Sequence, residues 1–239
     1  MRHTSLITAI AVLCGSSITY GATATAVSVA SNGGSSSATA TARGNADATA
    51  YAGATNGGRA SANSTAIGNR RGYASSDAIA VADRGRAISN SRADARGRRG
   101  GRAVATSESI ATAVGGLAIS NSEANARGSF GGVARSRSYS TALSRWGVAV
   151  SDSKASSKGI FGGRATSVSD SLADTDGGRA TSRVRAKSGA RYHASADADG
   201  IGVSISGHRR HSRVDARASS RSTWFGRSSS RAALVEIRR

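Results

Sequence analysis

The chain has 239 residues with 33 Lys and Arg against 14 Asp and Glu, a formal net charge of +19, no proline and one cysteine. Aromatics make up only 4% of it and the large aliphatics stand singly, so a conventional globular core is not expected. The lone cysteine, Cys14, excludes an internal disulfide framework and a cysteine-based zinc site, and the excess of arginine points to anionic partners.

Residues 1–24 have the layout of a secretory signal peptide: Arg2, an apolar run from Leu6 to Leu13, then small residues. The run is too short to cross a bilayer. Cleavage after Ala24 leaves Ala22 and Ala24 as the small pair that the peptidase prefers, and Gly21 marks a second site. Only Arg2 is lost from the charge count, so the mature chain carries +18 and no cysteine. No later segment is apolar enough for a transmembrane helix, and the product is expected to be secreted or held at the cell surface. Residues 25–35 read as a flexible Gly/Ser linker.

From 36 to 206 the chain repeats. Successive units begin at Gly101, Gly116, Gly132, Gly147, Gly163 and Gly178, a regular recurrence of about 15–16 residues. Within a unit small residues stand two apart, as in Ala118, Ser120, Ser122, Ala124 and Ala126, which is the side-chain period of a β-strand and not of a helix. The fold class that follows is all-β: a parallel β-solenoid or β-roll with coils of about 15–16 residues, two short strands in each, and an Ala/Ser/Gly interior. Eleven such coils at about 4.8 Å each form a rod on the order of 50 Å long. Proline removes a ladder donor, and its absence suits unbroken ladders.

The stretches STAIGNRRGYASSDAIAVADRGRAIS and GVAVSDSKASSKG resemble the head repeats of trimeric autotransporter adhesins, the YadA-like head. Ser64, Ala66, Ile67 and Gly68 match the opening of that family's short unit, and Gly147, Val148, Ala149 and Val150 match it up to Ser151. The resemblance implies a left-handed parallel β-roll in which three chains pack together on a bacterial surface and bind host matrix. The chain departs from the family in its longer units, in Arg164 and Arg179 where the family is often aliphatic, and in showing no coiled-coil stalk or membrane strands.

Leu117, Ile119, Val133, Val148 and Val150 fall at corresponding outward places in neighbouring units and read as an oligomer stripe, so a homo-oligomer is expected. Residues 207–239 lose the alternation and read as a basic, irregular and partly disordered tail, with Arg209, Arg210, Arg213 and Arg217 as a polyanion-binding cluster. From Arg179 to Arg239 fourteen Lys or Arg face four acids, a net of +10 for that segment. The expected partners are anionic polysaccharide, lipopolysaccharide or host-surface molecules. Sequence-specific nucleic-acid recognition is not expected, because no recognition helix, zinc finger or aromatic sheet motif is present.

No catalytic residues, cofactor or metal are assigned. His208 and His211 lack a third ligand at recognisable spacing, and the ADTDGG and ADADG stretches (Asp174, Asp176, Asp197, Asp199) do not complete a calcium loop. No nucleophile elbow is present, and outward rows of threonine, which an ice-binding face needs, are missing. The expected function is that of an exported structural or adhesive surface protein, not an enzyme, that contacts cells, matrix or anionic polymers. The alternative is a basic, largely disordered secreted protein that binds polyanions by charge alone.

Overall fold

The structure, a computed structural model, describes residues 22–31, 33–44, 46–68, 73–97, 102–130, 132–161, 164–191, 195–206, 211–223 and 227–238. All of its regular elements are strands. The first rungs hold β1 (Ala22–Ala30), β2 (Ser35–Gly44), β3 (Ala46–Ala54), β4 (Arg59–Gly68) and β5 (Tyr73–Asp83). The middle holds β6 (Arg86–Gly97), β7 (Arg102–Val114), β8 (Leu117–Ser129), β9 (Val133–Ser144) and β10 (Val148–Ile160). The far end holds β11 (Arg164–Thr175), β12 (Arg179–Arg191), β13 (Ser195–Ser206), β14 (Ser212–Thr223) and β15 (Arg227–Arg238).

Odd strands form one parallel sheet of eight and even strands a second of seven, so the chain crosses from sheet to sheet at every turn. The β-solenoid is therefore as the alternation predicts, but its coil is longer. Each repeat unit makes one long strand rather than two short ones, and a full turn takes two units. Ala118 pairs with Ala149 and Ala149 with Ala180, the same separation that lets Asn121 bond Asn90 across 31 positions. Eight rungs at about 4.8 Å span about 34 Å, shorter than the rod expected from single-unit coils.

Alternation decides what lies inside. In β8 the residues from Ala118 to Gly128 are buried at every second position, while Leu117, Ile119, Asn121, Glu123 and Asn125 face out. The interior between the sheets is almost wholly alanine and serine, and Val184 is the largest fully buried side chain among the described residues. Val184 fits because Gly200 lies opposite: a Cβ there would stand 2.9 Å from a Val184 methyl. Each buried methyl contributes only about 0.8 kcal/mol, so backbone ladders and side-chain hydrogen bonds carry much of the cohesion.

Serine supplies those bonds as two spines along the axis. In one, the hydroxyl of Ser107 donates to Ser91 (2.9 Å), Ser122 to Ser107 (3.0 Å) and Ser138 to Ser122 (2.9 Å), zigzagging between the sheets. In the other, Ser109 donates to Ser89 (2.9 Å), Ser140 to Ser120 (3.0 Å) and Ser171 to Ser151 (2.8 Å). The serines of the two spines are thus satisfied against the strand before them.

The corners before even strands explain the returning glycine. Gly85, Gly116, Gly147 and Gly178 stack with their backbones touching, and Leu117 N–H donates to Gly85 O (3.0 Å), Val148 to Gly116 O (3.0 Å) and Arg179 to Gly147 O (3.0 Å). A Cβ on Gly116 would lie 1.8 Å from the Gly85 oxygen, a backbone atom held by its own ladder, so this corner admits no side chain. At the opposite corner Phe130 and Phe161 stack with ring centroids 5.1 Å apart.

Two boundaries differ from expectation. Residues 25–30, read as linker, lie in β1, which pairs with β3 from Ala22↔Ala46 to Ala30↔Ala54; the Ala/Thr/Val alternation there is short but suffices for a rung. The segment 207–239, read as an irregular tail, carries β14 and β15, which continue the two sheets against β12 and β13. β14 keeps small or apolar residues at every second position from Ser212 to Ser222, whereas in β15 Leu234 and Glu236 fall on the inward register and break the pattern. Residues 1–21, with the expected leader and Cys14, lie outside the described residues.

Candidate polyanion-binding face

Because units alternate between sheets, side chains one full turn apart line up in rows on one outer face, and the two outer faces differ in charge. Even strands carry sixteen Lys or Arg against four acids, a net of +12. Odd strands carry seven against nine, a net of −2. The positive charge of the described solenoid therefore lies on one sheet.

Its rows run along the axis. One is Arg92, Glu123, Lys154, Arg185 and Arg217. Another is Arg96, Arg127 and Lys158, three cations on neighbouring strands that form no ion pair among the described residues. The densest part lies on β10, β12 and β14, where ten Lys or Arg face two acids, Asp152 and Asp215. Along β12 the residues Arg183, Arg185 and Lys187 all point outward and are exposed. Cations set at about 4.8 Å along the axis and about 6.6 Å along a strand form a grid with little local neutralisation.

Acids on this face are organised rather than scattered. Glu123 stands between Lys154 Nζ (3.2 Å) and Arg92 Nη1 (3.6 Å), and Asn125 Nδ2 donates to it at 3.2 Å. Burial works against its ionisation, but the bonds from Asn125 and Lys154 and the charges of Lys154 and Arg92 outweigh burial and hold its carboxyl below the ordinary value. Asp152 behaves oppositely: burial pushes it up, although Arg185, Arg183 and Lys154 oppose the shift. Beside it runs an amide ladder in which Asn121 Nδ2 donates to Asn90 Oδ1 (2.9 Å) and Asn90 Nδ2 to Asn63 Oδ1 (2.8 Å). A shallow groove of about 420 Å³ follows this ladder between Asn63 and Lys154.

Of the cluster expected from sequence, Arg213 and Arg217 lie exposed on β14, on this face, with Arg217 Nε 3.2 Å from Asp215 Oδ1. Arg209, Arg210 and His208 lie outside the described residues, and His211 is exposed just before β14. The expected oligomer stripe divides. Leu117 pairs with Val148 and Ile119 with Val150 on the basic even face, whereas Val133 sits on the odd face between Arg102 and Arg164, because neighbouring units belong to different sheets.

Asp174, Asp197 and Asp199 are outward residues of the odd sheet, and Asp197 accepts from Ser229 Oγ (2.8 Å) with Arg164 Nη2 at 3.8 Å. Among the described residues no three His, Cys, Asp or Glu side chains gather as a metal site. Sequence reasoning missed Lys154, Lys158, Arg183, Arg185 and Lys187. Their signal was the recurrence of Arg96, Arg127 and Lys158, visible only when every second unit is aligned. Comparison with known proteins finds no matching family model, no matching curated protein and no matching solved structure.

Proposed function

We propose that the chain is an exported structural or adhesive protein that contacts anionic polymers or surfaces through the face of its even-strand sheet. The observation that carries the reading is the separation of charge, +12 on one outer face against −2 on the other. A cationic field repeated at the rung spacing suits an extended polymer with regular acidic groups, such as an acidic polysaccharide or the phosphate-bearing sugars of lipopolysaccharide. The resemblance to adhesin head repeats supports the adhesive role, although a full turn of two units is longer than that family's single unit.

Two double reversals of equal charge test it. Arg183→Glu with Arg185→Glu alters the even face, and Arg135→Glu with Arg137→Glu the odd face. Retention on a heparin column is expected to fall to a markedly lower salt concentration for the first pair and to move little for the second. Equal losses would mean that net charge alone binds, which is the alternative of a disordered basic chain. Export is part of the proposal. The two expected cleavage sites, after Ala24 and after Gly21, both leave the rungs from β2 onward whole. N-terminal sequencing of the secreted protein is expected to start at Thr25 or Ala22; recovery of an intact Met1 contradicts export by this route.

A further inference from the structure

The odd-strand sheet has a property that neither its charge nor the proposed function uses. Across its outer face the row Tyr51, Ile79, Ile110, Leu172, Val203 and Val235 runs from rung to rung, with Val27 before it and only Thr141 interrupting. The next row adds Val29, Val81, Leu143, Ile205 and Ile237, interrupted by Gly53, Thr112 and Asp174. Val27, Val29, Tyr51, Val81, Val235 and Ile237 are exposed. On the even face the longest run of large apolar side chains is three, Ile88, Ile119 and Val150, against the four from Val27 to Ile110 here, which are followed by three more after Thr141. Without the four interrupting positions the apolar parts of the two rows cover about 350 Å², within the range of the largest apolar patch of a protein surface, which is often functional.

We infer that this face binds the same face of a second copy, giving a closed dimer in which the odd sheets pack together and the basic even sheets face outward on both sides. Charge excludes the pairing of two even faces, and the apolar rows favour odd on odd over the odd-on-even contact that opposite charge alone would allow. Two even faces at +12 each repel, while two odd faces at −2 do so only weakly. Area permits it, since a face about 34 Å by about 36 Å offers on the order of 1,000 Å² per protomer, above the roughly 800 Å² that a stable interface uses. Aliphatic rows two positions apart on one face also suit sheet-on-sheet packing, in which side chains interleave as they do between the layers of a sandwich. If the proposed function holds, each dimer offers polymers two opposed basic faces and bridges them.

Light scattering after size exclusion on the wild-type chain and two pairs of variants tests this. The wild type at micromolar concentration is expected at twice the chain mass. Ile110→Lys with Leu172→Lys, both outward on the odd face, is expected to give the monomer, and Leu117→Lys with Val150→Lys on the even face is expected to leave the dimer intact. Far-ultraviolet circular dichroism verifies that each variant keeps its β spectrum. Should the odd-face lysine pair fail to fold, Ile110→Thr with Leu172→Thr preserves β propensity and is expected to weaken dimerisation at least tenfold. A folded wild-type monomer, a mass that climbs without limit as concentration rises, or a dimer lost through the even-face pair and not the odd-face pair would each overturn the inference. Heparin retention of the odd-face variants is read separately. It remains if only the dimer is wrong, and it is absent in the wild type if only the polyanion reading is wrong.

Discussion

The two outer faces share one interior and one rung spacing yet differ in almost everything a partner meets. The even face presents rows of arginine and lysine with the amide ladder Asn63, Asn90, Asn121 among them, and the odd face presents aliphatic rows beside a slight excess of acid. In a solenoid with an Ala/Ser interior, inward positions are constrained by volume, while each outward row is free to take its own chemistry. A period of two strands per turn lets a single chain write two unrelated surfaces.

The strongest way to break the comparison is to remove what both faces share. Gly116→Ala puts a Cβ into the Gly85 carbonyl and is expected to cost about 3 kcal/mol or more, read as a large drop in the thermal midpoint, with the difference between the faces lost in the unfolded chain. Overfilling the interior acts less severely. Ala142→Leu, at a fully buried position facing the other sheet, is expected to cost about 1–3 kcal/mol in denaturant titration.

Within the interior the serines divide into those that bond and those that do not. Ser138 donates to Ser122 and accepts from Lys154 N–H (3.2 Å), so Ser138→Ala is expected to cost about 1 kcal/mol or more. Ser136, the preceding inward residue of the same strand, has a buried hydroxyl with no partner, and Ser136→Ala is expected to be neutral or stabilising. A cost at Ser136 equal to that at Ser138 would contradict the assignment of the spines.

The smallest effect distinguishes the acids of the two faces. On the odd face Asp77 is pushed up by burial and by its neighbours Glu108 and Asp47. A carboxyl raised in the folded state binds its proton more tightly there than in the unfolded chain, so its ionisation lowers stability as pH rises from the ordinary aspartate range through the folded value. Asp77→Asn is therefore expected to stabilise slightly at neutral pH, with the gain vanishing in acid. Glu123 on the even face has the opposite sign: its contribution is present above the ordinary glutamate value and disappears as pH falls through its lowered one. Thermal melts of Asp77→Asn and Glu123→Gln across acidic to neutral pH read both.

Strand identity and the inward set were legible because small residues at every second position have one structural meaning, and the corner glycines marked the unit. The length of a turn was not. Single-unit steps look like whole coils when each unit is aligned to the next, and nothing in Gly101, Gly116 or Gly132 says which corner it serves. That single ambiguity displaced the rest. In sequence Val133 groups with Leu117 and Val148 although it lies on the other sheet, and the consecutive arginines near 209–217 draw attention from cations that stand one full turn apart. In β14 the alternation from Ser212 to Ser222 is present but overshadowed by the arginine-rich outward set, and in β15 Leu234 and Glu236 on the inward register break it, so that pairing with β12 and β13 fixes the register.

The turn length is the claim on which both faces rest, and cysteine pairs measure it directly. In a Cys14→Ser background, Asn121→Cys with Asp152→Cys joins residues paired on adjacent strands of one sheet, while Asn121→Cys with Arg137→Cys joins residues on opposite outer faces. Mild oxidation is expected to form an intramolecular disulfide in the first pair and none in the second. Efficient bridging between positions 121 and 137, with none between 121 and 152, would mean that each unit is a full coil and would contradict the two-faced solenoid.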